Sequence, residues 1–194
     1  MLTERFHEAL GYASRLHARQ LRKSSGVPYV AHLLGTAALV LDYGGDEDEA
    51  IAALLHDAVE DQGGAPTLAE IRRRYGDRVA SIVEACSDTD QIPKPPWRER
   101  KEHHLAALGK APPSVLLVTA ADKLHNARTV VEALRVQGES VWDRFRGGRD
   151  GSLWYYRAAS RLLNEALPGP ISAELERTVE LLESMARALP SASA

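Results

Sequence analysis

An all-α, compact single-domain fold is predicted by three observations. Apolar residues recur at three- and four-residue spacing along most of the chain, no stretch alternates convincingly as a strand would, and helix-start signals recur between glycine or proline breaks. At 194 residues the chain is long enough for one well-buried domain and short for two, so one domain is expected over 1–190, followed by a Ser/Ala tail at 191–194.

Each element has its own signal. Thr3 can cap a first helix running to about Gln20, with Phe6, Leu10, Ala13 and His17 on one stripe. Pro28 marks a turn, and a second helix covers 31–43 until Gly44-Gly45 ends it. Asp46-Glu47-Asp48-Glu49 reads as a capping box opening a third helix, which continues through His56-Asp57. Thr67-Leu68-Ala69-Glu70 reads as another, opening a short helix that stops at Tyr75-Gly76; a fifth helix covers 77–87. Prolines 93, 95 and 96 make 92–96 a loop. Helices follow at 97–108 and 113–136, with a short one near 140–145 and a longer one near 151–166. The last carries Ile171, Leu175, Val179, Leu182, Met185 and Leu189, a stripe expected to face the core.

Composition bounds the function. Hydrophobic residues at 44% and charged residues at 26% are ordinary globular values, and neither a signal peptide nor a membrane-length apolar run is present. A single cysteine, Cys86, excludes an internal disulfide and reads as a packing residue; the expectation is a cytoplasmic protein. The formal net charge of −3 argues against general nucleic-acid binding. An anionic partner must therefore be drawn by a local basic patch. Arg72-Arg73-Arg74 and His103-His104 are expected to be solvated, and Gly147-Gly148-Arg149-Asp150-Gly151 lacks the Lys-Ser/Thr of a phosphate loop.

The most informative stretch is Leu54-Leu55-His56-Asp57-Ala58-Val59-Glu60-Asp61, where an imidazole and three carboxylates follow an apolar run. Buried charge must be paired or bound to metal, and acids near a helix C-terminus oppose the macrodipole. A divalent cation is the simplest compensation. His56-Asp57 supplies two ligands; His32 and Asp122, each set in an apolar run, are the further candidates. Two nitrogens and two oxygens suit Mn(II), Fe(II) or Zn(II), with Co(II) as a further alternative, rather than Ca(II). Room for water requires five or six coordination, which favours manganese or iron.

The pattern H…HD…D resembles the signature of HD-domain metal-dependent phosphohydrolases. More narrowly, Arg22-Lys23, Pro28-Tyr29-Val30-Ala31-His32, His56-Asp57-Ala58-Val59-Glu60-Asp61 and Ala121-Asp122-Lys123-Leu124-His125-Asn126-Ala127-Arg128-Thr129 resemble the hydrolase domain of Rel/SpoT alarmone enzymes. The resemblance spans roughly residues 5 to 130, and the length points to the stand-alone small alarmone hydrolases of the stringent response. It implies 3′-pyrophosphohydrolysis of (p)ppGpp or (p)ppApp and a small nucleotide as partner, with Glu60 and Asp61 as the catalytic pair. It further implies Arg22 and Lys23 at the purine and Asn126 and Thr129 at the nucleoside. Lys123 and Arg128 flank these residues and could neutralise phosphate oxygens, a surface role being the alternative for each; Arg144, Arg146 and Arg149 could add charge at the pocket mouth. The family's long members commonly have one residue fewer between Lys23 and Pro28, and Glu where Val27 stands, which leaves guanine against adenine open. An HD-type nucleotidase or phosphodiesterase on simpler nucleotides, and a non-catalytic nucleotide sensor, remain the alternatives. Oligomeric state is not readable from the sequence.

Overall fold

The computed structural model describes residues 1–22, 25–87, 93 and 95–189. Among them are ten α-helices: α1 (Glu4–Leu16), α2 (Val30–Asp42), α3 (Glu47–Leu55), α4 (Ala58–Asp61), α5 (Gly64–Tyr75), α6 (Asp77–Cys86), α7 (Trp97–Leu108), α8 (Pro113–Gln137), α9 (Gly148–Ala166) and α10 (Pro170–Ala188). A 3₁₀ segment, Gly138–Arg144, joins α8 to the turn before α9. The only β pairing among the described residues is an isolated bridge between Leu21 and Pro28. The all-α expectation is met.

α8 is the spine. At 25 residues it is the longest helix, and it packs against α2, α3, α6, α9 and α10. The α10 stripe of Ile171, Leu175, Val179 and Leu182 is buried against the core, as its spacing predicts. α2 and α3 approach closely because Ala50, Ala52 and Ala53 are wholly buried beside Leu33, Leu54 and Leu55. Each such leucine contributes roughly 1.5–3 kcal/mol of transfer free energy. These contacts set the relative positions of the three segments that bear the polar residues of the site.

The capping signals divide. Asp46 accepts from the Glu49 amide at 3.0 Å while Glu49 accepts from the Asp46 amide at 2.8 Å, a complete capping box. Thr67 opens no helix: α5 begins at Gly64, and the Thr67 hydroxyl donates to the Gln62 carbonyl at 2.8 Å. α1 ends at Leu16, and His17 to Arg19 form a turn instead of extending the helix to Gln20. α3 ends at Leu55; His56 and Asp57 form a turn before the one-turn α4. The ladder breaks there because Asp57 flattens to φ −95°, ψ −2°, while His56 caps Ala53 with its own ring.

Two other expectations change on packing. His104 is buried rather than exposed, on the side of α7 that faces Tyr155 of α9. Arg74 is half-buried over the Tyr12 ring at 4.6 Å and paired with Glu70 and Glu8, while Arg73 is exposed. Within the proline-rich stretch, Ile92 and Lys94 lie outside the described residues. The glycines near 150 serve an indole: a Cβ at Gly147 would stand 2.7 Å from the Trp97 ring and one at Gly151 3.1 Å from it. Glycine at both positions lets α7 close onto α9 through Trp97.

Candidate metal centre

Three segments present the polar cluster. His32 sits in the first turn of α2, His56 and Asp57 in the turn between α3 and α4, and Asp122 midway along α8. His32 Nε2 is 3.2 Å from Asp122 Oδ1 and 3.6 Å from Asp57 Oδ2. His56 Nε2 is 3.1 Å from Asp57 Oδ2 and 3.6 Å from Asp122 Oδ1. The ligand atoms of His32, His56 and Asp57 all lie within 4.8 Å of one another. All four residues expected as ligands are thus brought to one point.

The donor set suits a metal ion by its hydrogen bonding. His56 Nδ1 is 2.8 Å from the Ala53 carbonyl, so it carries the proton and donates; its Nε2 is buried and faces the Asp57 and Asp122 carboxylates. His32 Nδ1 is 3.0 Å from His125 Nδ1, with the Thr36 hydroxyl more distant at 3.4 Å. In each imidazole the nitrogen facing the cluster is Nε2, and the other is occupied, the arrangement typical of metal-bound histidine. Two nitrogens and two carboxylates match a first-row divalent ion.

Electrostatics agree. Burial pushes the His56 pKa down, but Asp57 and Asp122 outweigh it and hold the ring well above its ordinary value. Burial likewise opposes ionisation of Asp57 and Asp122; the His56 charge for Asp57, and the Lys123 ammonium for Asp122, hold each well below the usual carboxylate range. The cluster therefore recruits positive charge, which a divalent cation supplies in place of the proton.

Several neighbours that the sequence reading left without a role support the cluster. The Tyr29 hydroxyl donates to Asp57 Oδ2 at 2.6 Å, and its ring stacks on buried His17 with centroids 5.3 Å apart. Gln20 donates to Asp61 Oδ2 at 2.7 Å and accepts from Gln62 at 2.6 Å. Burial first, then the Asp57 charge, raises the Asp61 pKa. Glu60, Asp61 and Asp57 line a cavity of about 270 Å³ with Tyr29, Arg22 and Asn126.

Two further cavities of about 300 and 290 Å³ share Phe145 with the first and are lined by Trp97, Lys101 and Arg146. Arg144 joins the second of these, while Arg149 turns to Glu139 at 3.6 Å and to the Ala186 carbonyl of α10. Together they form a cation-rich space of the size a small molecule needs.

The other expected contact residues divide. Arg22 is buried, donates to Asn126 Oδ1 at 2.8 Å and lies 5.9 Å over the Tyr29 ring. Asn126 in turn donates to Asp122 Oδ1. Lys123 bonds Asp122 Oδ2 at 2.6 Å, so its charge is held by the metal-side carboxylate and not solely offered to a ligand. The Thr129 hydroxyl donates to the His125 carbonyl at 2.9 Å, and Thr129 is not among the cavity-lining residues. Arg128 is exposed and bonded to Glu174 of α10 at 3.0 Å, away from the cavities, so the surface role fits it better than phosphate binding. Lys23 lies outside the described residues.

A helical domain whose His/Asp cluster can hold a metal ion beside a cationic cavity is the class that fold and site define. Residues 9–153 match the HD domain family, and the chain belongs to it. A human relative named guanosine-3′,5′-bis(diphosphate) 3′-pyrophosphohydrolase MESH1 is 38% identical over 124 residues, covering 62% of this chain and 66% of that protein. An Aquifex aeolicus protein named guanosine-3′,5′-bis(diphosphate) 3′-pyrophosphohydrolase is 34% identical over 127 residues, covering 66% of this chain and 18% of its own length. The chain thus spans less than two thirds of either. A solved structure, described as a metazoan ortholog of SpoT that hydrolyzes ppGpp, superposes with a TM-score of 0.77 at 25% identity, covering 93% of this chain and 96% of that one.

Proposed function

We propose that the chain is a metal-dependent 3′-pyrophosphohydrolase of nucleotide alarmones, releasing pyrophosphate and leaving the nucleoside 5′-di- or triphosphate. The observation that carries this reading is the convergence of His32, His56, Asp57 and Asp122 beside a cavity walled by Glu60 and Asp61. The names of the relatives support the alarmone as substrate class. Manganese is the first choice of metal, with iron, zinc and cobalt as alternatives.

A divalent cation held by the four ligands supplies Lewis-acid polarisation of a phosphoryl oxygen and eases the deprotonation of water. Glu60, preferred over Asp61, takes a proton from the attacking water, whose oxygen joins the phosphorus attached to the 3′ oxygen. The bond from that phosphorus to the 3′ oxygen breaks, and the 3′ oxygen leaves with the proton that Glu60 took from the water, which regenerates the base. Gln20 steadies Asp61 at the same wall. Arg22 and Asn126, already joined to each other, offer a guanidinium face and an amide to the nucleoside. Lys101 and Arg146 neutralise phosphate oxygens farther along the cavity, and Thr129 is left with a packing role. Lys23 completes the purine site in this reading.

The setting that goes with this chemistry is cytoplasmic, with a small nucleotide as partner and no role for nucleic acid. No helix among the described residues is long and apolar enough to cross a membrane.

Incubation of the purified chain and Mn(II) with guanosine 3′,5′-bis(diphosphate), its adenosine counterpart, GTP and ATP, followed by chromatography, tests the proposal. The guanosine compound should yield nucleoside 5′-diphosphate and pyrophosphate without stepwise orthophosphate; the adenosine compound is the rival substrate. Rapid cleavage of ordinary triphosphates with both alarmones untouched would favour a generic nucleotidase instead.

A further inference from the structure

We propose that His125, seated on the backbone of α2 at Gly35, is the positioning residue that holds His32 in its metal-ligating tautomer and orientation. This rests on the metal reading of the His32–His56–Asp57–Asp122 cluster, and it adds a residue outside the ligand set.

The two Nδ1 atoms of His32 and His125 stand 3.0 Å apart, with ring centroids 4.9 Å apart and planes inclined at 52°. One of the two must donate and the other accept. His32 turns Nε2 to Asp122 and Asp57, so as a neutral ligand it carries its proton on Nδ1. His125 Nδ1 is then the acceptor, and His125 keeps its own proton on Nε2. The alternative acceptor for His32, the Thr36 hydroxyl, is 3.4 Å away, at the outer limit of a hydrogen bond.

Gly35 makes this possible. A Cβ there would meet His125 Cδ2 at 2.2 Å and Nε2 at 2.3 Å, so any other residue would push the ring off its seat. Gly35 lies inside α2, where glycine is disfavoured, and close approach of the His125 ring gives a reason for its presence. The two imidazole ligands are therefore oriented by different means. His56 is fixed by a backbone carbonyl of the helix just before it, α3, whereas His32 depends on a side chain from α8.

The test uses the full chain stripped of metal and titrated with Zn(II), with folding followed by circular dichroism. His125→Leu should raise the metal Kd roughly 10–100-fold, the usual effect of losing such a partner. His125→Asn, whose amide oxygen falls near the place of Nδ1, should retain most of the affinity, and Gly35→Ala should weaken binding as His125→Leu does. A nitrogen-15 histidine spectrum of the wild-type chain should show Nδ1 protonated in His32 and bare in His125. A folded His125→Leu variant with the wild-type Kd would overturn the proposal. So would a protonated His125 Nδ1, a readout that holds even if the variants do not fold. Failure of the wild-type chain itself to take up metal would instead overturn the reading of the metal centre.

Discussion

Tyr29 donates its hydroxyl proton to Asp57 Oδ2 at 2.6 Å, tying the turn before α2 to the turn between α3 and α4. The contact runs from just ahead of His32 to Asp57, two members of the cluster that could hold a metal ion. It fixes the carboxylate without neutralising it, because burial and the neighbouring Asp57 charge push the Tyr29 pKa far above its ordinary value.

Tyr29→Phe keeps the ring against His17 and removes that bond. The metal-free protein should lose roughly 1.5–3 kcal/mol, the worth of a hydrogen bond to a charged group. Metal should also bind more weakly, because Asp57 can then rotate. Denaturant unfolding and metal titration of the variant check both; an unchanged midpoint would mean that the bond contributes nothing.

Asp122→Ala removes a proposed ligand and the partner of the largely buried Lys123 ammonium together. Metal content should fall, and stability should drop by roughly 3–5 kcal/mol, as when one member of a buried ion pair is deleted. Adding Lys123→Met should recover part of the stability but none of the metal. Elemental analysis and urea melts of both proteins separate the two effects. Full metal occupancy in Asp122→Ala would remove this residue from the ligand set.

Glu60→Gln preserves size and hydrogen bonding but cannot take a proton. Metal content should stay near wild type while turnover falls by roughly 10²–10⁴. Single-turnover kinetics on the alarmone decide the matter, and a wild-type rate would reduce Glu60 to a structural role.

The metal-free protein should be most stable near pH 6.5 and weaken on both sides. Burial, followed by the neighbouring His32 and Arg22, lowers the His125 pKa to about 4. The stabilisation gained by keeping it neutral is full above the unfolded value of about 6.5 and is lost as pH falls towards 4. Asp61 opposes this limb, since a raised carboxyl pKa favours the folded state at low pH. His56 acts on the other side: its raised pKa stabilises below about 6.5, and that contribution disappears as pH climbs through the folded value. Bound metal displaces the His56 proton, so saturating metal should abolish the alkaline decline. Thermal melts from pH 4 to 9, with and without metal, report this; identical profiles would contradict it.

Much of the fold was legible because helical periodicity and stop signals are local. The capping box at Asp46 and the α10 stripe depend only on residues three or four apart. The convergence of His32, His56, Asp57 and Asp122 was legible for a related reason: charged groups inside apolar runs demand a partner wherever the chain goes. What escaped the sequence reading depends on distant partners. Tyr29 meets Asp57 across 28 positions, and His125 meets His32 across 93. The sequence left Arg128 open between phosphate contact and surface role, and its pairing with Glu174 of α10 is another contact that only the fold supplies. The expected run of the third helix through His56-Asp57 also failed, since periodicity carries no sign that the ladder breaks at Asp57.

Trp97 gives the chain an optical reporter. One edge of its ring rests on the backbone at Gly147 and Gly151, while the ring also borders the two cavities lined by Lys101 and Arg146. The other two indoles are placed differently, Trp142 buried in the core and Trp154 covered by the Arg98 guanidinium at 3.3 Å. Emission that changes on adding a phosphorylated ligand to the wild-type chain, and stays constant in Trp97→Phe, would follow occupancy of the cavity directly. Binding could then be watched in real time without a label, and separately from turnover.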